Sequence, residues 1–240
     1  MKIVEATLNG RWKIKLPDHR AERPEWYTEK GWEKPRLEKL HDLIKKQSEP
    51  VVYYIGAEEG EMPALCKMWG ADVILFEPNP KVWSNIRAIW EANELGNPPV
   101  CIEAFASSVD KDGADGDHTL YHGNWPPHAY DEIIAAHGFK ELYQEAHKYD
   151  QWKIDTVRET EFDPTIITMD VEGSEFEVLK GAEQTILECK PVIVLSLHPE
   201  FLREQWGVYS RDVRNWIIDR GYTETLLEYE HEVHLIYEPK

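Results

Sequence analysis

The sequence predicts an α/β fold in which a mainly parallel sheet is covered by helices on both faces. Three observations carry this. Five short runs, Val51–Ile55, Val73–Phe76, Val100–Phe105, Ile166–Met169 and Pro191–Leu197, are almost continuously apolar, as strands buried on both faces must be. Segments with helical spacing lie between most of them. Glycine or proline closes several of the runs or the helices after them, as at Gly56, Pro78 and Gly70.

The elements follow in order. Val4–Leu8 and Trp12–Leu16 flank Asn9-Gly10, a two-residue hairpin signal. Pro17 to Pro35 is polar and broken by prolines, an irregular arm held to the surface by Trp26, Tyr27 and Trp32. Leu37, Leu40, His41 and Ile44 keep helical spacing. After Val51–Ile55, a short helix is expected from near Pro63 to before Gly70. After Val73–Phe76, an amphipathic helix is expected over Val82–Leu95. Val109–Asp163 is too long for an ordinary connection and is read as an inserted cap, because such loops in compact domains are usually functional. A helix starts at Ser174, another covers Val213–Arg220, and Thr223–Tyr229 with Val233–Tyr237 form a closing hairpin. Residues 1–50 are thus a hairpin, arm and helix, and residues 51–240 the main domain with 109–163 inserted.

Composition excludes several function classes. The 240 residues include 27 Lys and Arg against 45 Asp and Glu, a net charge of −18. Such a surface repels nucleic-acid phosphates and anionic lipid heads, so neither nucleic acid nor a membrane is an expected partner. Three scattered cysteines make no disulfide framework and no metal clip. No apolar run is long enough for a signal peptide core or a membrane helix, and a cytoplasmic protein is the expectation.

In open parallel sheets, ligands sit beyond the carboxyl ends of the strands. The first such turn reads Tyr54-Ile-Gly56-Ala57-Glu58-Glu59-Gly60. Its glycines allow close backbone approach, yet their spacing is GxxxG rather than the dinucleotide GxGxxG, and two carboxylates stand where phosphate oxygens would lie. No phosphate-binding P-loop occurs. A cationic ligand without phosphate, such as S-adenosylmethionine, suits this loop. Glu77, in Phe76-Glu77-Pro78-Asn79-Pro80, ends the second strand and is placed to accept from a ribose diol; its alternative is a helix cap, for which Asn79 is the better candidate.

These residues resemble the FkbM-type family of S-adenosylmethionine-dependent methyltransferases. The resemblance rests on Gly56-Ala57 with Gly60, on Phe76–Pro80, on Asn93, and above all on Asp170-Val171-Glu172-Gly173-Ser174-Glu175 followed by Val178-Leu179-Lys180-Gly181-Ala182. It covers roughly Val51 to His198. It implies the class I, Rossmann-like fold, with a seven-stranded sheet whose last strand is antiparallel. It also implies O-methylation of a hydroxyl on a small, sugar-like acceptor. Cofactor contacts are then expected from Tyr54, Gly56, Ala57, Glu58, Gly60, Glu77, Pro78 and Asn79, and from Ala104 and Ser107 at and after the end of the third run. Three positions depart from the family: Tyr54 and Ser196 replace acids, and Thr168 replaces a lysine. They keep a second reading open, a non-catalytic cofactor-binding or scaffolding module.

The acids around Gly173 are not equivalent. Ser174 and Glu177 form a capping box, and Glu175 suits the first turn of a helix. Asp170 and Glu172 remain for chemistry. Asp170 is expected to orient or deprotonate the acceptor, His198 is the second candidate base, and a divalent ion on Asp170 and Glu172 is the lesser alternative. In the insertion, Tyr121, His122, Trp125, Tyr130, Phe139, Tyr143, Tyr149 and Trp152 either meet an acceptor or pack the cap. His231-Glu232-Val233-His234 lacks HExxH spacing and makes a poor zinc site.

Overall fold

Asn9 and Gly10, both left-handed at φ 50° and 66°, turn strand β1 (Ile3–Leu8) back into β2 (Trp12–Pro17). The register pairs Leu8 with Trp12, so the loop holds three residues rather than the expected two. Asn9 is held there because its side chain clamps Trp32 in both directions, at 2.8 and 2.9 Å. Trp12, Ile14 and Leu16 alternate inward along β2 and are buried. The computed structural model describes residues 2–23, 31–113, 119–133, 148–229 and 232–240. Trp26, Tyr27, Phe139, Tyr143 and His231 lie outside them.

The arm is less irregular than expected, since Asp18–Ala21 forms one helical turn, α1. Helix α2 (Lys34–Lys45) presents Leu37, Leu40, Leu43 and Ile44 to the core, with the charged Arg36 on the same face. Strands β3 (Val51–Ile55) and β4 (Asp72–Phe76) flank α3 (Glu61–Met68). A 3-10 turn at Pro80–Val82, capped by Asn79 Oδ1 accepting from Lys81 N at 3.1 Å, leads into α4 (Trp83–Ala92). The third run divides into β5 (Val100–Ile102) and β6 (Phe105–Ala106). The insertion supplies β7 (Leu120–Tyr121), β8 (Gln151–Trp152) and α5 (Ile154–Arg158). Then come β9 (Ile166–Met169), α6 (Glu175–Gly181), α7 (Glu183–Cys189) and β10 (Val192–Leu197). The chain closes with α8 (Pro199–Trp206), α9 (Ser210–Ile218), β11 (Tyr222–Tyr229) and β12 (Val233–Pro239). Helix α8, started by Pro199 and stopped by the left-handed Gly207, was absent from the sequence expectation.

The main sheet has the order β11-β12-β10-β9-β3-β4-β5-β7. Strands β10, β9, β3, β4 and β5 are mutually parallel, and β12 is antiparallel to β10 as expected. The sheet is eight-stranded and mixed rather than seven-stranded. The additional strand, β7, comes from the insertion and pairs antiparallel with β5 through Cys101–Tyr121 and Ile102–Leu120. Most of the insertion's described aromatics pack the cap: Trp125 meets Trp90 edge-on at 6.2 Å, and Tyr149 meets Phe105 at 6.0 Å.

The hairpin and α2 share one core with the sheet, where Leu16, Leu37 and Ile44 join Val52, Leu65 and Trp83. Asn93 ties the two parts, donating to Lys15 O at 2.8 Å and accepting from Lys15 N at 2.9 Å. A second tie is ionic. Arg20, fully buried on the one-turn α1, bonds Glu61, and reaches Glu58 and Glu59 at 3.3 Å each. Removing one partner of a buried pair leaves uncompensated charge and costs about 3–5 kcal/mol. Arg20→Met is therefore expected to lower unfolding free energy in denaturant titration by roughly that amount. A loss below about 1 kcal/mol would mean that His19, which also bonds Glu59, carries the tie instead.

Candidate active site

Strand order reverses at β3, which sends its chain to β4 on one side and has β9 on the other. Such a reversal opens a crevice beyond the carboxyl ends of the strands. Here the two loops touch. A Cβ added to Gly56 would lie 2.0 Å from Asp170 O, and Gly56 is left-handed at φ 81°. No side chain fits between the loops after β3 and β9. Gly60, at φ 99°, plays a packing part instead, because an added Cβ would meet Ile86 Cα at 2.9 Å.

A cavity fills this crevice. Of the residues named from the sequence, Tyr54, Gly56, Ala57, Glu58, Glu77, Pro78, Ala104, Asp170 and Glu172 line it. Gly60, Asn79, Ser107 and His198 are not among its lining residues. Ser107 lines a neighbouring cavity with Gln151 and Trp206. Asn79 supports the wall, its N–H donating to Glu77 Oε1 at 2.8 Å, while Glu58 N–H donates to Glu77 Oε2 at 3.0 Å. Burial pushes the Glu77 carboxyl up to about 8 against those two bonds. In the ionised form each oxygen has two lone pairs, so a vicinal diol can still donate to both and would favour that form.

The acids of this cavity are held by cations from the N-terminal segment. Arg36 donates to Glu33, to Asp170 Oδ2 at 3.1 Å and to Thr168 Oγ1 at 3.4 Å. Thus Thr168, where the resemblance implies a lysine, receives a guanidinium from α2. Burial and the charge of Glu61 push Glu58 up to about 8, against the pull of Arg20. Three non-glycine residues lining the cavity are left-handed, Glu33, Glu58 and Glu172, at φ 44°, 52° and 49°. Backbone strain of this kind persists where surrounding structure holds it, and it clusters at functional sites.

The expected capping box does not form. Ser174 makes no side-chain cap bond, and Glu177 instead accepts from Ser108 Oγ and Lys180 Nζ. Glu175 replaces it by folding back onto Gly173 N–H at 3.0 Å. Nor is Glu175 a solvated acid at a helix start. It is fully buried and accepts from His198 Nδ1 at 2.7 Å.

His198 lies behind the cavity wall among four carboxylates. Its Nε2 is 3.0 Å from Glu232, 3.6 Å from Asp170 and 3.7 Å from Glu172. Burial pulls the imidazole down, but the bonds to Glu175 and Glu232 and the charge of Asp170 outweigh it, holding the ring up at about 11. At neutral pH His198 is a cation with no lone pair for a proton. Glu232, disfavoured by burial, is held down to about 2 by the bond from His198. Ligand atoms of Asp170, His198 and Glu232 lie within 4.8 Å of one another, a grouping that shares Asp170 with the expected Asp170 and Glu172 pair.

Sequence reasoning missed Trp32, Glu33, Arg36 and Glu232, all of which line the cavity. A signal existed for Arg36, which shares the core-facing side of α2 with Leu40, Leu43 and Ile44. Glu232 has no local signal, since it joins the cavity wall through its approach to His198 at 3.0 Å.

A switch-point cavity with a diol-accepting acid, a glycine-lined loop and carboxylates in place of phosphate contacts defines a class I methyltransferase. Its donor set suits S-adenosylmethionine, with Glu77 for the ribose and acidic walls for a cationic centre. The chain belongs to the FkbM methyltransferase family, whose model, the methyltransferase FkbM domain, matches residues 51–224. Among solved structures it is similar to the FkbM methyltransferase of Methylobacillus flagellatus KT, with a TM-score of 0.54 and 16% identity over 85% of this chain and 58% of that one. The small RNA methyltransferase HEN1 gives a TM-score of 0.50 at 11% identity, over 88% of this chain and 26% of that one. At these identities the likeness concerns the fold. No curated protein sequence matches the chain. No helix among the described residues is long and apolar enough to cross a membrane.

The raised pKa of His198 has a pH signature. Its folded value of about 11 exceeds the unfolded value near 6.5, so its stabilisation is complete below pH 6.5 and is lost as pH rises toward 11. The penalty of His198→Gln in denaturant titrations is expected to be largest at pH 6 and to shrink by pH 10. In NMR titrations the ring should stay protonated through pH 9, and Glu175→Gln should lower its midpoint by about one unit or more. A wild-type midpoint near 6.5 would remove the carboxylate cage from the account.

Proposed function

We propose that the chain transfers a methyl group from S-adenosylmethionine to a hydroxyl of a small, sugar-like acceptor. The observation that carries this is Asp170, which lines the cavity at the crossing of the β3 and β9 loops, only partly exposed and held at 3.1 Å by Arg36. Bound S-adenosylmethionine supplies an electrophilic methyl. The chain's part is to place a nucleophilic oxygen in line with it and to receive the proton. Asp170 Oδ1 accepts the acceptor hydroxyl, while Oδ2 stays with Arg36. His198, as an imidazolium, cannot take the proton and instead steadies Asp170, Glu172 and Glu232. The acidic walls disfavour an anionic acceptor, and a net charge of −18 disfavours a polyanionic one.

Tyr54 and Ser196 stand where the resemblance implies acids, which supports a second reading, a cofactor-binding module without turnover. Thermal shift and a radiolabelled methyl-transfer assay separate the two. S-Adenosylhomocysteine at about 100 times Kd should stabilise the protein by roughly 2.7 kcal/mol. A hydroxyl panel of glycosides and other small alcohols should then yield at least one methylated product. Asp170→Asn should keep cofactor binding and lower turnover by about 10²-fold or more. Stabilisation without transfer to any panel member would favour the binding module; unchanged turnover in Asp170→Asn would remove Asp170 from the mechanism.

A further inference from the structure

Part of the cavity wall comes from outside residues 51–224, the stretch matched by the family. Trp32, Glu33 and Arg36 all line it. Arg36 is the one Lys or Arg among the described lining residues, beside Glu33, Glu58, Glu77, Asp170, Glu172 and Glu232. An anionic group entering such a cavity is repelled from nearly every side, and only the guanidinium can compensate it.

A cofactor whose ribose meets Glu77 also carries an amino-acid head, with a carboxylate and an ammonium on the same carbon. The partners of those two groups must therefore be adjacent, one cationic and one anionic. Glu33 and Arg36 are such a pair, bonded to each other across one turn at the start of α2. We infer that Glu33 and Arg36 dock the amino-acid head of the cofactor, Arg36 receiving its carboxylate and Glu33 its ammonium. The inference rests on the cofactor reading given above.

Three further facts support it. The guanidinium has five N–H groups in a planar fork, and its bonds to Glu33, Asp170 and Thr168 engage three of them. Glu33 is held at φ 44°, a strained conformation for a glutamate that a purely structural ion pair does not require. Burial pushes its carboxyl up to about 7 against Arg36, with Asp170 and Glu232 adding to the rise, so an arriving ammonium would find an incompletely compensated acid. Tyr54, which lines the same cavity in place of the acid implied there, offers no charge for that ammonium.

The test compares two ligands by calorimetry on the full chain: S-adenosylhomocysteine, and 5′-methylthioadenosine, which keeps the thioether nucleoside but lacks the head. The wild type should bind S-adenosylhomocysteine about 10-fold or more tightly than 5′-methylthioadenosine, as charged hydrogen bonds to the head require. Glu33→Gln and Arg36→Met should each remove most of that difference while leaving 5′-methylthioadenosine within about two-fold of wild type. Retained nucleoside binding also shows that each variant folds. Arg36→Lys should recover part of the difference. Unchanged S-adenosylhomocysteine affinity in either variant, or equal losses for both ligands, would overturn the inference. Failure of both ligands to bind the wild type would instead sink the cofactor reading beneath it.

Discussion

The confinement of many carboxylates to one crevice is the constraint around which the rest of the molecule is arranged. Glu33, Glu58, Glu77, Asp170, Glu172 and Glu232 line a single cavity, with Glu59, Glu61 and Glu175 buried nearby. In a medium of low effective dielectric such a group repels itself strongly. The chain answers in three ways. Arg20 and Arg36 bring positive charge from the N-terminal segment. Backbone N–H groups fix the oxygens of Glu77 and one oxygen of Glu175. His198 is held as a cation among acids on three sides of its ring. What is left over is a cavity whose chemistry favours a positively charged guest.

The same loops carry the conformational strain. Glu33, Glu58 and Glu172 adopt left-handed backbone, and Gly56 does so where the β3 loop presses on Asp170 O. Each sits at a boundary between an element and the cavity. Their geometry is maintained by contacts that cross long sequence distances, such as Arg36 to Asp170 and Arg20 to Glu59. Site geometry and fold stability are therefore coupled through the arm.

Much of this was legible from short-range pattern. Four of the five strand runs, the closing hairpin, the GxxxG turn and the strand-end Glu77 depend on neighbours within a few residues and fell where expected, while the third run divided into β5 and β6. The eighth strand escaped because β7 is two residues long and exists only by pairing with β5. Helix α8 escaped because it is short and buries only Leu202, leaving Phe201 and Trp206 exposed. The capping box failed because Glu177 was drawn to Ser108, 69 residues away. Arg36 and Glu232 reach Asp170 and His198 only once the chain has folded, and no local periodicity encodes such meetings.

The division of labour between the two ends of the chain has a further consequence for what counts as the minimal unit. The matched stretch, residues 51–224, holds Glu58, Glu77, Asp170 and Glu172, whereas Arg20 and Arg36 precede it. A polypeptide trimmed to the family boundaries would keep most of the acids and lose both arginines, together with the hairpin that shares its core. The boundary drawn by sequence kinship and the boundary drawn by charge compensation around the cavity do not coincide.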